Sequence, residues 1–158
     1  MLTWMLISLI SGWLGSVSVE GIFSRMPKGD LISLEYSESG TMAGYKYYAF
    51  VELQENGTVI VKAQKESYGE IIEKKVDAQV LKNIRNIIKE HKMYKYKERY
   101  LPPFKVLDGY MWNFHAKFSD GETISSHGSN ARPSGDGLNT LKEYMKGLVT
   151  DKNKKEEP

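Results

Sequence analysis

Cysteine is absent from this chain of 158 residues. Its absence excludes disulfide bridges, thiolate metal sites, cysteine nucleophiles and a lipid anchor on cysteine. A strong excess of one charge is missing too, because 22 Lys and Arg residues stand against 20 Asp and Glu residues. The net charge of +2 is too small to favour nucleic acid as a partner. Hydrophobic residues at 41% and charged residues at 27% exclude wholesale disorder and indicate a globular protein.

Charged side chains are also missing from residues 1–19, whose sequence is MLTWMLISLISGWLGSVSV. As a helix this segment would be about 28 Å long, close to the thickness of a bilayer's hydrocarbon core. Ser16 and Ser18 supply small residues at the spacing that a signal peptidase needs. We therefore predict that residues 1–18 are a signal peptide or a membrane anchor, although no Lys or Arg precedes the apolar run. A buried first helix or strand is the third interpretation.

The length predicts one domain, which at this size can bury a core without disulfides. Residues 19–30 contain Pro27 and Gly29 and are interpreted as a linker. Residues 31–149 are the predicted domain, and residues 150–158 a charged, disordered tail. The expected location is exported, meaning periplasmic, at the cell surface or secreted. Membrane contact is expected only through residues 1–19, if they are not removed.

Alternating and β-rich stretches predict six strands. The segment YMWNFHAKF alternates strictly between aromatic or small residues and the set Met, Asn, His and Lys, which is typical of a strand with one buried face. Its aromatic side chains are interpreted as core. The six predicted strands are residues 31–38, 45–54, 58–67, 70–76, 110–118 and 122–128.

The pair Asn56 and Gly57 joins the second and third predicted strands. Asn-Gly favours a two-residue type I′ turn, in which Leu53 would face Ile60 across the hairpin. Both faces of the hairpin are then partly apolar. The sequence therefore predicts a hairpin that is covered on both sides.

Two helices are predicted after these strands. Asp77 is a good N-cap, and apolar residues recur at helical spacing between Val80 and His91. A shorter amphipathic pattern follows Asp136 and ends near Gly147. The order β-β-β-β-α-β-β-α lacks strand–helix–strand alternation. We therefore predict an α+β fold, with a mainly antiparallel sheet of about six strands, one long helix packed on it and a short C-terminal helix.

Catalytic patterns are sparse. With Asp120 and Gly121 as a two-residue turn, His115 would face Ser126, which is the minimum of a nucleophilic device. The serine would lie in mid-strand, without a GxSxG turn or evident oxyanion donors. The favoured interpretation is a protein that is not an enzyme. A hydrolase that uses a His/Ser/Asp cluster on the 110–128 hairpin is the alternative.

No metal or cofactor is expected. Asp108, Asp120 and Asp136 each precede a glycine, but they lack the spacing of a calcium loop, and Asp-Gly is ordinary turn chemistry. His91 has no second ligand at i+3 or i+4. The loop 134–137 opens a helix without a phosphate-binding motif.

The basic–aromatic segment, residues 89–105, contains six Lys or Arg residues against two Glu, with Tyr and Phe between them. Such a mixture occurs in single-stranded nucleic-acid binders, which leaves nucleic acid as an alternative partner. It also suits a protein or glycan contact. A third interpretation is a solvated helix end whose tyrosines pack on the sheet while its lysines reach water.

Four stretches resemble a pattern in an uncharacterised family of small exported bacterial domains, often seen in gut bacteria and lipoprotein-like. The stretches are Tyr-Lys-Tyr (94–96), Pro-Pro-Phe (102–104), Leu-Asp-Gly-Tyr (107–110) and Asn-Ala-Arg-Pro (130–133). The similarity covers about residues 30–148 and implies export and an α+β fold, without an assigned activity. Many such proteins have a lipoprotein-type cysteine after the apolar run, which this chain lacks.

The predicted function is an exported, non-enzymatic interaction domain of the cell envelope that contacts a protein or glycan. The contact surface is predicted from the loops 94–112 and 128–137, which are rich in Tyr, Trp, Pro, Gly and Arg. Alanine at Tyr100, Trp112 or Arg132 is expected to weaken binding without unfolding the domain. The candidate binding residues are Tyr96, Arg99, Tyr100, Phe104, Asp108, Tyr110, Trp112, His127, Asn130 and Arg132.

Overall fold

The computed structural model of the protein describes residues 25–40, 46–106 and 109–150. The predicted signal peptide, Asp108 and residues 151–158 of the predicted tail lie outside the described residues. The strands are β1 (Leu31–Gly40), β2 (Lys46–Leu53), β3 (Val59–Gln64), β4 (Ile71–Val76), β5 (Arg99–Tyr100), β6 (Tyr110–Phe118) and β7 (Thr123–Ser129). The helices are α1 (Gln79–Glu90) and α2 (Gly137–Val149), and Met93–Lys95 form a short 3-10 turn. The prediction of one long and one short helix is wrong, because α1 has 12 residues and α2 has 13.

The strands form one sheet in the order β4-β3-β2-β1-β6-β7-β5. The α+β class and the mainly antiparallel pairing are confirmed. The predicted count of six strands is wrong, because β5 adds a seventh strand that pairs with β7 in parallel. A strand of two residues, such as β5, is too short to show an alternation of polar and apolar side chains, so the sequence does not predict it. Pairing with a distant segment creates β5, as when the His127 amide donates to the Glu98 carbonyl at 2.9 Å.

The predicted two-residue turn between β2 and β3 is wrong. The Gln54 amide donates to the Thr58 carbonyl at 2.8 Å, and the Gly57 amide donates to the Gln54 carbonyl at 2.9 Å. These bonds enclose a three-residue loop in which only Gly57 has a positive φ, of 80°. A type I turn followed by a left-handed glycine is the usual form of such a loop. The β6–β7 connection has the same bonding pattern, with Gly121 at a φ of 83°.

The longer loop shifts the register of the first hairpin by one residue, so Leu53 faces Val59 and Val51 faces Val61. A one-residue shift moves every side chain of one strand to the other face. The buried apolar side chains of β2 and β3 therefore lie together on one face, and the half-buried Phe50 and Ile60 lie on the other. The predicted cover on both sides of the hairpin is wrong, since both helices pack on one face of the sheet.

The helices bury apolar stripes against the sheet. Helix α1 buries Val80, Leu81, Ile84 and Ile88, and α2 buries a similar stripe that includes Leu141 and Met145. At the start of α1, the Asp77 carboxylate accepts a hydrogen bond from the Gln79 amide at 2.7 Å, which satisfies one free amide of the first turn. No described element covers the opposite, more polar face of the sheet.

Part of the predicted linker, residues 25–30, binds to the domain. The Gly29 amide donates to the Asp120 carboxylate at 2.6 Å, and the Ser119 amide donates to the Asp30 carbonyl at 2.8 Å. Arg85 of α1 donates to the carbonyls of Pro27 and Gly29 at 2.9 and 3.1 Å. These bonds tie the chain before β1 to α1 and to the β6–β7 turn.

Candidate binding site

Four strand ends meet at one end of the sheet. The last residue of β1, Gly40, lies opposite Tyr110 at the start of β6, and Met111 lies opposite Ser129 at the end of β7. Because β5 runs parallel to β7, the residues after Tyr100 leave the sheet at this same end. The two loops that the sequence analysis singled out are therefore brought close together.

A buried ionic cluster lies beneath these loops. Glu38 of β1 has a side chain that is only 1% exposed. Lys142 of α2 donates to Glu38 Oε2 at 2.5 Å. Glu38 Oε1 accepts hydrogen bonds from Arg132, from the Tyr36 hydroxyl and, at 3.1 Å, from the Tyr110 hydroxyl. The cluster joins the sheet, the loop 128–137 and α2 around one carboxylate.

The carboxylate of this cluster is ionised. Burial alone would raise the pKa of Glu38, because the charged form loses water. Hydrogen bonds from Lys142 and Tyr36, together with the charges of Lys142 and Arg132, outweigh burial and hold the pKa of Glu38 below its ordinary value of 4.5. For the same reason burial and the bond to Glu38 raise the pKa of Tyr36, which stays protonated and donates.

Arg132 connects the buried cluster to the surface. Its Nη1 donates to Asn139 Oδ1 at 3.0 Å, and its guanidinium carbon lies 4.6 Å from the centre of the Tyr110 ring. The side chain is 33% exposed, compared with 14% for Lys142. Contacts with a carboxylate, an amide and an aromatic ring hold the guanidinium in one place while leaving part of it open to water.

Asn130 fixes the start of the loop that holds Arg132. It has a φ of 53°, a left-handed conformation that Asn tolerates better than most residues. Its amide donates to the Tyr110 carbonyl at 2.7 Å, and its side-chain oxygen accepts from the Tyr110 amide at 2.9 Å. Asn130 therefore has a structural role in this site.

Trp112 is buried, with its indole Nε1 donating to the Ala131 carbonyl at 2.8 Å. A Cβ on Gly128 would lie 2.3 Å from that nitrogen, so only glycine leaves room for the ring. Because the ring is fully buried, alanine at Trp112 is expected to destabilise the core, whatever its effect on binding. The interpretation of the β6 aromatic residues as core is confirmed for Trp112, Phe114 and Phe118.

The tyrosines of the basic–aromatic segment pack inward. The Tyr96 ring centre lies 6.4 Å from that of Phe114, and the Tyr100 ring centre lies 5.7 Å from that of Trp112. Burial raises the pKa of Tyr96 to about 12. All six Lys and Arg residues of the segment are exposed. The segment thus presents cations to solvent, and the rings of Tyr96 and Tyr100, which could otherwise stack on nucleic-acid bases, are committed to the core.

The apolar tip, residues 101–106, follows β5 and departs from this pattern. Leu101 is 53% exposed, Phe104 is 69% exposed, and Val106 is exposed as well. Pro102 and Pro103 stand between them. The tip lies at the end of the sheet where Arg132 emerges, since both follow strands that run in the same direction.

The predicted binding residues do not share one surface. Tyr96, Tyr100, Tyr110, Trp112, Asn130 and Arg132 lie on the helix-covered side of the sheet. His127 alternates with the buried residues of β7 and lies on the opposite face, where it faces Asn113. Arg99 is exposed on β5, and Phe104 belongs to the apolar tip.

The His115–Ser126 pair does not form. Phe114 faces Ser126 and His115 faces Ser125, so the two residues of the supposed nucleophilic device lie on opposite faces. The Ser126 hydroxyl is buried and donates to the Lys97 carbonyl at 2.6 Å. The three-residue loop at Gly121 shifted the register by one, as in the first hairpin.

Metal-ligating side chains do not cluster within residues 25–40, 46–106 and 109–150. His91 lies at the end of α1, and its Nδ1 is 3.0 Å from Asp136 Oδ1 at the start of α2. This contact joins the two helix ends. None of the helices in these ranges is long and apolar enough to cross a membrane.

The centre of the cluster, Glu38, is missing from the predicted binding residues, as are Tyr36 and Lys142. One signal for Glu38 was present, because it continues the buried alternation of Leu34 and Tyr36 along β1. A charged residue at a core position of a strand needs a partner. The partners could not be named, since they lie 94 and 104 residues further along the chain.

No protein-family model matches the chain, and a search of the curated proteins finds no similar protein. The resemblance to exported bacterial domains therefore stays a prediction.

Proposed function

We propose that the protein is an exported binding module that captures an acidic protein through the apolar tip and the cations around it. The observation that carries this proposal is the exposure of Leu101 and Phe104, at 53% and 69%, in a domain whose other aromatic side chains are mostly packed. Contiguous exposed apolar side chains with a polar rim mark interaction sites. Burying these side chains in an interface would remove their apolar surface from water and so stabilise the complex.

The tip suits side-chain contacts better than strand addition. Pro102 and Pro103 have no amide hydrogen, so a partner strand could not pair with the backbone there. The same prolines keep the tip extended and limit the conformational entropy that binding would cost. A partner would therefore bury Leu101 and Phe104 in a matching apolar pocket.

Charge favours an acidic partner. The basic–aromatic segment carries six exposed cations against the exposed Glu90 and Glu98, and the tip follows it directly in the chain. Opposite charges across an interface speed association and select the partner. Binding is expected to weaken as salt rises, because exposed charges are screened beyond about 8 Å at physiological ionic strength.

A nucleic acid or a glycan fits less well. Base stacking needs exposed aromatic faces, and Tyr96 and Tyr100 use theirs against core rings. Phe104 is the exposed ring of the tip, and the side chains of Leu101, Pro102 and Pro103 before it offer no hydrogen bonds to sugar hydroxyls. These two ligand classes are alternative outcomes of the test below.

Export is the other part of the proposal and rests on the uncharged residues 1–19. A reporter that is active only outside the cytoplasm, fused after residue 30, is expected to be active. Activity that persists when Leu6 and Leu9 are replaced by arginine would refute export through this segment.

The binding test compares two exposed aliphatic side chains, Leu101 and Ile71, which lie at opposite edges of the sheet. Leu101→Ser lies in the tip, and Ile71→Ser on β4 is the matched control, since both side chains are 53% exposed. Envelope and extracellular proteins retained by the immobilised domain are identified, and their affinity is measured by titration. We expect Leu101→Ser and Phe104→Ser to weaken binding by at least about tenfold, as for interface hot spots.

The control Ile71→Ser is expected to bind as the unmodified protein does. Equal binding by all variants would refute the tip as the contact. Retention of a glycan or of single-stranded DNA, in place of an acidic protein, would replace the proposed partner class.

A further inference from the structure

We infer that Arg132 is the anchor of this binding surface and receives a carboxylate group of the protein partner. The inference rests on the proposed function and names the chemical group that the partner supplies. It starts from the charges around Glu38, because one carboxylate binds two cations, Arg132 and Lys142. Of these two cations, Arg132 is the more exposed, at 33% compared with 14% for Lys142.

The guanidinium of Arg132 has donors left for a ligand. An arginine side chain has five N–H donors. Within the described residues, Nη2 donates to Glu38 and Nη1 donates to Asn139, which uses two of them. With 33% of the side chain exposed, the remaining donors can form the paired hydrogen bonds that arginine makes with a carboxylate.

The guanidinium is also held in place before any ligand binds. Glu38 and Asn139 fix its two terminal nitrogens, and the Tyr110 ring lies 4.6 Å from its central carbon. A long side chain usually loses rotamer freedom when it binds, and here folding has already removed that freedom. Glu38 is therefore a positioning residue, which acts on a ligand through Arg132.

The location fits a carboxylate on a protein. Arg132 follows β7 and the apolar tip follows β5, two parallel neighbouring strands, so both leave the sheet at one end. Between them Trp112 links the two segments, by its bond to the Ala131 carbonyl and its contact with the Tyr100 ring. An acidic side chain next to an apolar one on the partner would meet Arg132 and the tip together.

The first experiment uses N-acetylglutamate amide as the probe, followed by NMR. Its carboxylate is expected to shift the Asn139 side-chain amide and the Ala131 backbone amide in a saturable way, with a dissociation constant in the millimolar range. Chloride at equal ionic strength is expected to cause no saturable shift. Inorganic phosphate is the comparison for a phosphate-bearing ligand.

Two arginine variants test the anchor. Arg132→Lys keeps the charge and the ion pair with Glu38 but loses the planar fork, and we expect at least tenfold weaker binding of the probe. Arg99→Lys makes the same change at an exposed position on β5 and is expected to bind normally. An unchanged thermal midpoint checks that Arg132→Lys is folded.

The outcomes separate this inference from the proposed function. Equal probe binding by Arg132→Lys, or an equal saturable shift with chloride, would overturn the anchor. Tighter binding of phosphate than of N-acetylglutamate amide would overturn its assignment to a protein carboxylate. A protein partner that Leu101→Ser loses and Arg132→Lys retains would refute the anchor and leave the tip as the contact.

Discussion

Replacement of Glu38 by glutamine tests the buried cluster most directly, because it removes one negative charge and keeps the size of the side chain. Lys142 would then lose its bond to a charged carboxylate, and its side chain is only 14% exposed. Removal of one partner of a buried ion pair costs about 3–5 kcal/mol. Since Arg132 is 33% exposed and can turn toward water, we expect the lower end of this range, about 3 kcal/mol.

The assay is thermal or urea unfolding of the purified domain. For a domain of this size about 1 kcal/mol corresponds to roughly 4 °C in Tm, so the expected decrease is about 12 °C. The matched control is Glu35→Gln, which lies on the same strand but on the exposed face. It is expected to change stability by less than about 0.5 kcal/mol.

The pH dependence gives a second test of the same charge. The folded pKa of Glu38 lies below its ordinary value of 4.5, so its ionisation stabilises the fold above that pH. This stabilisation is lost as the pH falls below 4.5 and through the folded pKa. The difference in stability between the unmodified protein and Glu38→Gln should therefore shrink under acid conditions. A cost below about 1 kcal/mol at pH 7, or a difference that does not change with pH, would refute an ionised Glu38 at the centre of the cluster.

Further predictions concern packing and one hydrogen bond. Trp112→Ala should lower the free energy of unfolding by about 3–5 kcal/mol in urea titrations, and a loss below 1 kcal/mol would contradict its burial. Gly128→Ala should destabilise by about 1–3 kcal/mol, because its Cβ would lie 2.3 Å from Trp112 Nε1, whereas Gly147→Ala, with open space on α2, should stabilise by about 0.5–1 kcal/mol. Asp120→Ala should speed hydrogen exchange of the Gly29 amide about five- to tenfold, and unchanged exchange would show that this bond does not hold the segment.

Much of the fold could be predicted because its elements have strong local patterns. The alternation in residues 110–118 and the helical spacing of apolar residues in 80–91 each place the apolar side chains on one face of the element. Such a pattern can be recognised without knowing which element packs against that face. The wrong predictions concern the hairpin registers, which depend on the length of the connecting loop. A loop of two residues and a loop of three residues can both contain a glycine, but the extra residue moves the side chains of one strand to the other face of the sheet.

The candidate site was harder to predict, because it depends on contacts between residues that are far apart in the chain. The residue types of Arg132 and Tyr110 mark them as candidates, but Glu38 and Lys142 are not so marked, since their charged partners lie far away in the chain. His127 was chosen with Trp112, although alternation along paired strands places them on opposite faces. Residue type therefore found part of the site, and only the pairing of strands separated the two faces.

The sequence by itself determined the α+β class, the positions of most strands and both helices, and the absence of thiol chemistry. These properties follow from composition and from periods of two and about 3.6 residues, which act within a single element. The tertiary structure alone decided the register of both hairpins, the parallel strand β5 and the ionic cluster. The physical reason is that these features depend on contacts between segments far apart in the chain. The buried carboxylate of Glu38, for example, needs cationic partners, and the sequence around it does not specify which residues these are.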